Sequence, residues 1–407
     1  MTILVQKFGG TSLQSKASIS KVVSHIKNAI EKEYKLVVVV SALGRNPDPY
    51  ATDTLLGLID TSIPLYDKRE TDLLLSCGET IASVVISNEL QCNGIKSVAL
   101  TGAQAGIITT SEHTNAKIKG INTARLLNEL DKSDVVIVAG FQGQTSTGEI
   151  TTIGRGGSDT TAAALGVALN AEKVEIFTDV NGIMTADPRM VKSARQLKFV
   201  TYTEMCNLAY QGAKVVHPRA VELVMQANIP LHVRSTYSNE EGTLVTNSSV
   251  HEIRDQLITG IAHMPAITQI KIKNRDEIHR LHSEVFKVLA DAGISVDFIN
   301  ISPTGLLFTI PKDYTQTAVD HITKLGFHPQ VNENCAKISV VGAGMRGVPG
   351  IASRIVHSLT EKGIQILQSA DSHTTIWVLI HDKDVMTAVN ALHSDFDLSL
   401  PLKTSVQ

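Results

Sequence analysis

A chain of 407 residues is too long for one ordinary core and fits two or three domains of ~100–200 residues each. With 43% hydrophobic and 19% charged residues it has ample material for buried cores, which excludes a disordered tail protein. Its 37 Lys and Arg against 40 Asp and Glu leave a net charge of −3, so no basic field is present to hold a phosphate backbone, and no nucleic-acid partner is expected. The longest purely aliphatic run, residues 36–40, is far short of the ~20 residues that span a bilayer, so no membrane partner is expected either. Met1-Thr2-Ile3-Leu4-Val5 lacks the charged start and long apolar stretch of a secretory signal. The cysteines Cys77, Cys92, Cys206 and Cys335 show no CxxC spacing, which argues against a disulfide framework or a zinc knuckle. A soluble protein of the cytoplasm is the expectation.

In chain order, residues 3–5 form a short apolar run leading into Gln6-Lys7-Phe8-Gly9-Gly10-Thr11-Ser12. Ile19, Val22, Val23, Ile26 and Ile30 then fall on one helical face. Residues 36–40 are apolar on both faces, as buried parallel strands are, and run into Ser41-Ala42-Leu43-Gly44. Further strand-like runs lie at 98–100, 135–139, 174–177 and 231–233, with helical patterns near 71–91, 160–169 and 218–227. This alternation predicts an α/β domain over 1–245, a doubly wound and mainly parallel sheet with helices on both faces. In such sheets ligands bind at the carboxyl ends of the strands, so the loops after the strands carry the chemistry. The Ser-, Asn- and Glu-rich stretch 237–260 reads as a linker.

Beyond it a repeat begins. Leu289-Ala290-Asp291-Ala292-Gly293-Ile294 aligns with Leu359-Thr360-Glu361-Lys362-Gly363-Ile364 at an offset of 70 residues without a gap. Phe308-Thr309-Ile310 then falls on Val378-Leu379-Ile380, and Thr317-Ala318-Val319 on Thr387-Ala388-Val389. Each unit reads strand, helix ending at Gly, strand, strand, helix and a final strand. That is a small α+β (βαββαβ) sandwich present twice, over 260–330 and 336–407.

Gly9-Gly10 lies between a strand and a helix, where glycine lets backbone N–H groups approach phosphate oxygens and the helix N-terminus adds its partial positive charge. Lys7, at the strand end, can set an ammonium on the same oxygens. A tight βα turn with a solvated lysine accounts for these residues equally well. Gly154-Arg155-Gly156-Gly157-Ser158-Asp159-Thr160-Thr161 says more: three glycines surround an arginine, and a Ser/Asp/Thr run caps the helix that follows. An anion there would meet free N–H groups and a bidentate guanidinium, with a glycine hinge and an ordinary N-cap as the competing account. Two such loops in one βα domain argue for a ligand with several phosphates, or for a phosphate donor with an acidic acceptor.

Other nucleotide motifs are missing. No Gly-Lys dipeptide exists for a Walker A loop, and the HRD and DFG elements of protein kinases are absent. Gly342-Ala343-Gly344-Met345-Arg346-Gly347 spells GxGxxG, but only about 65 residues remain beyond the preceding strand, too few for a dinucleotide-binding domain. Pro349 also breaks the glycine-to-helix register. His279 and His282 stand i, i+3 with no Cys or carboxylate array beside them, so no metal site is expected.

From Lys7-Phe8-Gly9-Gly10-Thr11-Ser12 onward the sequence resembles the aspartokinases of the amino-acid kinase superfamily, over almost the whole chain. The likeness continues through Val38-Val39-Val40-Ser41-Ala42, Thr52-Asp53, Ser76-Cys77-Gly78-Glu79, Gly140-Phe141-Gln142-Gly143 and Gly154 to Asp159. It also takes in Thr178-Asp179-Val180-Asn181-Gly182, Ala186-Asp187-Pro188-Arg189 and Lys214-Val215-Val216-His217-Pro218. The repeat resembles the paired ACT domains that sense end-product amino acids in that family, and the length matches a monofunctional member.

The resemblance implies ATP-dependent phosphorylation of the L-aspartate side-chain carboxylate to 4-phospho-L-aspartate, the first step toward lysine, diaminopimelate, threonine and methionine. Mg2+ would arrive with the nucleotide. The acceptor carboxylate (pKa ~3.9) is already ionised at neutral pH, so catalysis needs no general base and consists of positioning and charge neutralisation. By resemblance, Lys7 stabilises the transferring phosphoryl group and Asp159 organises Lys7. Arg155 holds a carboxylate of aspartate within the loop of Gly156 and Gly157, Glu79 receives the α-ammonium, and Thr52 and Ser158 add hydrogen bonds. The nucleotide falls to Lys7, Phe8, Gly9 and Gly10, with Ser41 near the phosphates, and to Thr178, Asp179, Asp187, Arg189 and Lys214. Read alone, Glu79 would be a solvated helix glutamate, Asp187-Pro188 a turn, and Cys77 a small packed residue.

The sensory half departs from the family pattern. The first unit has Asn274-Arg275-Asp276-Glu277 where effector loops carry a Pro-Gly pair, and Asp297-Phe298-Ile299-Asn300 lacks the Gln-Asn pair of lysine- and threonine-regulated members. The second unit keeps Val348-Pro349-Gly350, and with its 367–373 stretch it looks most like the diaminopimelate-sensitive isozymes of spore-forming bacteria. Diaminopimelate is therefore the expected effector, held by Val348, Pro349, Gly350, Gln368 and Asp371, in a homodimer or higher homo-oligomer built through the ACT units. Two other readings remain: a kinase for another amino acid such as glutamate, and a non-catalytic amino-acid sensor. The intact set of Lys7, Glu79, Arg155 and Asp159 argues against the sensor.

Overall fold

The computed structural model describes residues 2–63, 66–247, 257–273, 278–345 and 347–400. These pack as two compact units. The first comprises the described residues of Met1–Ile183, Gln196–Ala209 and Lys214–Val250, and the second those of Met184–Arg195, Tyr210–Ala213 and His251–Gln407.

The first unit runs β1 (Ile3–Phe8), α1 (Lys16–Ile30), β2 (Lys35–Val40), α2 (Thr52–Leu56), α3 (Lys68–Cys92), β3 (Ser97–Leu100), β4 (Ile107–Thr109), β5 (Ile118–Ile121), α4 (Ala124–Lys132) and β6 (Val135–Ala139). It continues β7 (Gln142–Gln144), β8 (Ile150–Thr152), α5 (Gly157–Ala168), β9 (Lys173–Thr178), β10 (Phe199–Thr201), α6 (Tyr202–Tyr210), α7 (Pro218–Ala227), β11 (Leu231–Ser235) and β12 (Thr243–Thr246). The main sheet has the order β10-β12-β11-β9-β1-β2-β6-β3, and from β11 to β3 every neighbouring pair is parallel. Its central strands are buried on both faces, the reason they read as unbroken apolar runs. Val22, Val23 and Ile26 of α1 and Ala82, Ile86 and Leu90 of α3 pack on Leu4, Phe8, Val38 and Ile137. On the opposite face α5 lies so close to the sheet that a Cβ on Gly166 would stand 2.4 Å from Val174. The doubly wound parallel sheet expected from the sequence is the architecture observed.

Two features were not expected. A second sheet, β5-β4-β7-β8, sits beside the first, its strands only three or four residues long and lacking a clear apolar pattern. The linker expected over 237–260 is strand in its first part: Thr243–Thr246 lies between β10 and β11 in the main sheet, antiparallel to β11. Its polar residue is internal, the buried Thr243 hydroxyl bonding the Leu197 carbonyl at 2.5 Å and accepting the Ile183 N–H at 2.8 Å. The remainder of that stretch, from 248 to 256, lies outside the described residues, as does Asn274-Arg275-Asp276-Glu277.

Among the described residues one helix, α3, is long and apolar enough to cross a membrane by length and composition, yet half of its most apolar window is buried in the protein. Its buried face carries Asp72, Ser76 and Glu79. It is a core helix with a polar face turned inward.

The second unit runs β13 (Gly260–Lys273), α8 (Ile278–Asp291), β14 (Asp297–Ser302), β15 (Gly305–Pro311), α9 (Thr315–Lys324), β16 (Gln330–Val341), α10 (Ile351–Glu361), β17 (Gln368–Asp371), β18 (Thr375–His381) and α11 (Val385–Asp395). β15 and β18 reproduce the offset of 70 residues at both ends. The repeats share one antiparallel sheet, β14-β15-β13-β16-β18-β17. The early part of β16 pairs with the end of β13 and closes the first repeat, while its later part pairs with β18 and belongs to the second. The closing strand of the second repeat is the start of β13, from upstream in the chain. Each repeat keeps its own core, Leu281, Val285, Phe308 and Ile322 in one and Ile338, Ile355, Val378 and Leu392 in the other. Ala186 and Val191 join the latter, and Thr185 bonds His393 at 2.9 Å. The GxGxxG letters follow an antiparallel strand here, so they open no dinucleotide crevice.

Candidate active site

The site lies at the carboxyl end of β1 and β2, where parallel sheets place their ligands. Lys7 ends near Gly9: a Cβ on Gly9 would stand 3.6 Å from Lys7 Nζ. Gly10 faces the loop after β2 at still closer range, since a Cβ there would be 2.5 Å from the Gly44 carbonyl oxygen and 2.7 Å from that of Ala42. Ser41 N–H donates to the Phe8 carbonyl at 3.1 Å and Gly44 N–H to that of Gly10 at 3.0 Å. The two loops therefore form one surface, with Ser41 beside the Gly9-Gly10 turn.

The Lys7 ammonium pairs with Asp159 Oδ1 at 2.6 Å, both side chains being largely buried. Asp159 sits in the first turn of α5, whose N-cap Gly156 has φ 69°, a left-handed conformation that favours glycine. A Cβ on Gly156 would also strike the His217 ring at 2.2 Å. His217 N–H donates to Asp159 Oδ2 at 3.2 Å, and the His217 ring accepts the Arg219 N–H at 3.3 Å. Burial lowers the pKa of His217, which favours the neutral imidazole. The open first turn of α5, with Ser158 buried against Gly140, leaves helix N–H groups for an anion. Arg155 is exposed on the loop just before it.

Glu79 is 2% exposed; its Oε1 accepts the Ala42 N–H at 3.1 Å, and Oε2 has no hydrogen-bond partner among the described residues. Burial pushes its carboxyl up to about 8, against the opposing effect of the Ala42 N–H. A buried carboxyl with one bare oxygen is poised for a cation, because only a paired charge is stable there. Gly78 brings α3 against Ala42, Tyr50 and Leu55, which sets the half-buried Thr52, at the start of α2, alongside. Thr178 ends β9 and bonds Asp179, the residue after it, at 3.1 Å, and Arg45 reaches Asp179 at 3.4 Å. Lys214 is exposed in the strap that leads to His217.

Asp187 and Arg189 belong to the second unit, where they bond each other through both carboxylate oxygens at 2.6–3.2 Å. The Arg189 guanidinium holds the Asp187 carboxyl below the usual carboxylate range. The nucleotide role expected of this pair stays with the sequence likeness alone. Gly350 caps α10 with φ 96°, Val348 is exposed, and Asp371 is exposed at the end of β17. Gln368, expected at the effector site, lies between the repeats. Its side chain is buried, accepting from Gln269 Nε2 at 3.1 Å and donating to the Phe298 carbonyl, so its amide ties the two repeats together. His217, Arg45 and Asp72 received no role from the sequence. For Asp72 a signal existed, its placement two helical turns before Glu79 on the same face.

The model of the amino acid kinase family matches residues 2–235, and an ACT domain model matches 330–394. The chain is 57% identical to Aspartokinase 1 of Bacillus subtilis, over 98% of this chain and 100% of that protein. The structure of E. coli aspartokinase III with aspartate and ADP superposes with a TM-score of 0.80 at 24% identity, covering 97% of this chain and 99% of that one. The same enzyme with lysine and aspartate gives 0.75 at 25% identity, with the same coverage. With 57% identity over 98% of its length and the amino acid kinase model matching more than half of it, the chain belongs to the aspartokinases of the amino acid kinase family.

Proposed function

We infer that this chain transfers the γ-phosphoryl group of ATP to the side-chain carboxylate of L-aspartate, giving 4-phospho-L-aspartate, under control of amino acids bound to its ACT repeats. The observation that carries this is a contrast of carboxylates: Asp159 holds Lys7 at the glycine loop, while Glu79 keeps a buried oxygen bare. Glu79 takes the α-ammonium of aspartate, and Arg155 takes a carboxylate, with Thr52 and Ser158 hydrogen-bonding the same molecule. Lys7 and the amides of Gly9 and Gly10 meet the phosphoryl group, whose negative charge they offset as it passes between two anions. Ser41, Thr178, Asp179 and Lys214 attend the nucleotide, which brings its own magnesium. The acceptor is already ionised, so no residue need remove a proton. With ATP and aspartate, hydroxylamine should trap an acyl phosphate as the hydroxamate; equal or better turnover of glutamate would sink the substrate assignment.

We propose further that the enzyme works in the cytoplasm as a homodimer or larger homo-oligomer joined through its ACT repeats, with a kinase part over 1–245 and repeats over 260–330 and 336–407. Its effector is diaminopimelate, bound at Val348, Pro349, Gly350 and the exposed Asp371. The left-handed Gly350 opens the N-terminus of α10 toward a carboxylate. Asp371 offers a partner for an ammonium. Inhibition then requires tighter binding to an inactive arrangement, since equal affinity shifts nothing. Initial rates with diaminopimelate, lysine and threonine should show inhibition by the first alone. Val348→Trp, which adds bulk at the proposed effector stretch without changing Gly350, should abolish it. Strong inhibition by lysine alone, or a Trp variant as sensitive as wild type, overturns the effector assignment.

A further inference from the structure

α3 carries two buried carboxyl groups on one face, Asp72 and Glu79, and they are in opposite states. Among the described residues Glu79 has an oxygen without a hydrogen-bond partner, whereas both oxygens of Asp72 are used. Each accepts the Thr114 N–H at 3.0 Å, Oδ2 meets His113 Nδ1 at 2.8 Å, and Oδ1 receives the Thr152 hydroxyl. Thr152 is the last residue of β8, the strand that leads into the Arg155 loop, and its carbonyl accepts the Ala116 N–H at 2.9 Å. On the other flank, the Thr114 carbonyl oxygen and Asn115 Oδ1 come within 3.1 and 3.2 Å of where a Cβ would stand on Gly154. Asp72 therefore clamps the strand that enters the loop and the turn that braces it. A fully desolvated carboxylate bonded by several donors is a rigid anchor, because every departure leaves a buried charge exposed to an apolar surrounding.

We propose that Asp72 is a positioning residue that sets the separation between Glu79 and Arg155, and with it the length of amino acid the site accepts. The proposal rests on the reading that Glu79 takes the ammonium of the substrate and Arg155 a carboxylate. One helix bears Glu79 and fastens the loop bearing Arg155, so the two anchors share a single frame. A pocket that merely packs around its substrate separates acceptors differing by one methylene only about 10–200-fold, so a held spacing is the stronger device against glutamate.

Four variants test this: Asp72→Asn, Thr152→Val, Thr152→Ser and Arg155→Ala, each with KM for aspartate and for ATP and the aspartate-to-glutamate ratio of kcat/KM. Thr152→Val cuts the same tether without stranding a charge, so the test stands even where Asp72→Asn fails to fold. The expected result is an aspartate KM raised at least fivefold and a selectivity ratio lowered at least fivefold in Thr152→Val, with the ATP KM within twofold. Thr152→Ser, which keeps the hydroxyl, should restore both. Thr152→Val with aspartate KM and selectivity within twofold of wild type overturns the proposal, as does a loss in which the ATP KM rises equally. If Arg155→Ala alone raises the aspartate KM, the substrate reading survives and the clamp fails. If Arg155→Ala leaves that KM unchanged, both fall.

Discussion

Lys7→Ala should lower kcat by about 10²–10³, ~3–4 kcal/mol of transition-state stabilisation, while the KM for aspartate moves far less. The ammonium lies at the Gly9 turn, 2.6 Å from Asp159 and largely withdrawn from solvent, where its field is weakly screened. Transfer of a phosphoryl group between two anions concentrates negative charge at that place, so the loss falls on the transition state more than on bound aspartate. Removing Lys7 also leaves Asp159 without its cation. The double variant Lys7→Ala, Asp159→Asn should therefore recover stability against urea while kcat stays low, which separates the catalytic loss from the structural one. Steady-state kinetics decide the matter: a Lys7→Ala enzyme within threefold of wild type in kcat makes Lys7 a structural partner of Asp159 only.

The second large effect concerns Glu79 and pH. Its carboxyl, pushed up to about 8 by burial, lies above its ordinary value of 4.5. Between those values the folded protein holds a proton that the unfolded chain has released. The stability that this proton contributes is complete below the ordinary value and is lost as pH rises through about 8. Glu79→Gln, which stays neutral, should therefore surpass the wild type in ligand-free stability above about pH 8, as read from urea midpoints across the range. The pairing proposed between Glu79 and the ammonium of aspartate requires the ionised form, so kcat/KM for aspartate should climb about tenfold per pH unit below about 8 and then level. In Glu79→Gln that climb should vanish, with kcat/KM lower by about 10²–10³, the usual result of removing one member of a buried ion pair. A variant that keeps the wild-type profile would show that the bare oxygen of Glu79 meets no substrate cation.

How far the sequence reaches differs from element to element. The strands at residues 36–40 and 135–139 declare themselves because a parallel strand covered on both faces must be apolar at every position. α7 begins at Pro218 as its pattern predicts, since proline suits the first helical turn and has no N–H to leave unpaired. The repeat was legible because each copy solves the same packing problem with the same spacing. The short strands β4, β5, β7 and β8 left no such mark, being too brief for a period of two to show. Thr243–Thr246 looked like linker because its threonines are polar by composition and internal only by virtue of partners far away in the chain.

The candidate site divides in the same way. Glycines at 9, 10, 154, 156 and 157 and the cations beside them could be picked out as anion-binding chemistry, because a backbone that must approach a ligand or adopt a left-handed φ tolerates little else. Their assembly followed from the family likeness and not from the residues themselves. Nothing local in β1 or in α5 requires Lys7 to meet Asp159, and Glu79 read alone is an ordinary helix glutamate. Gln368 shows the converse, a polar side chain suited to an effector by its chemistry whose amide is held by partners in the other repeat. Local sequence sets backbone preference, periodicity and the kinds of side chain on offer. Whether a carboxylate is satisfied, as Asp72 is, or left with a bare oxygen, as Glu79 is, depends on desolvation and on partners brought in by other elements, and only the packed tertiary structure supplies those.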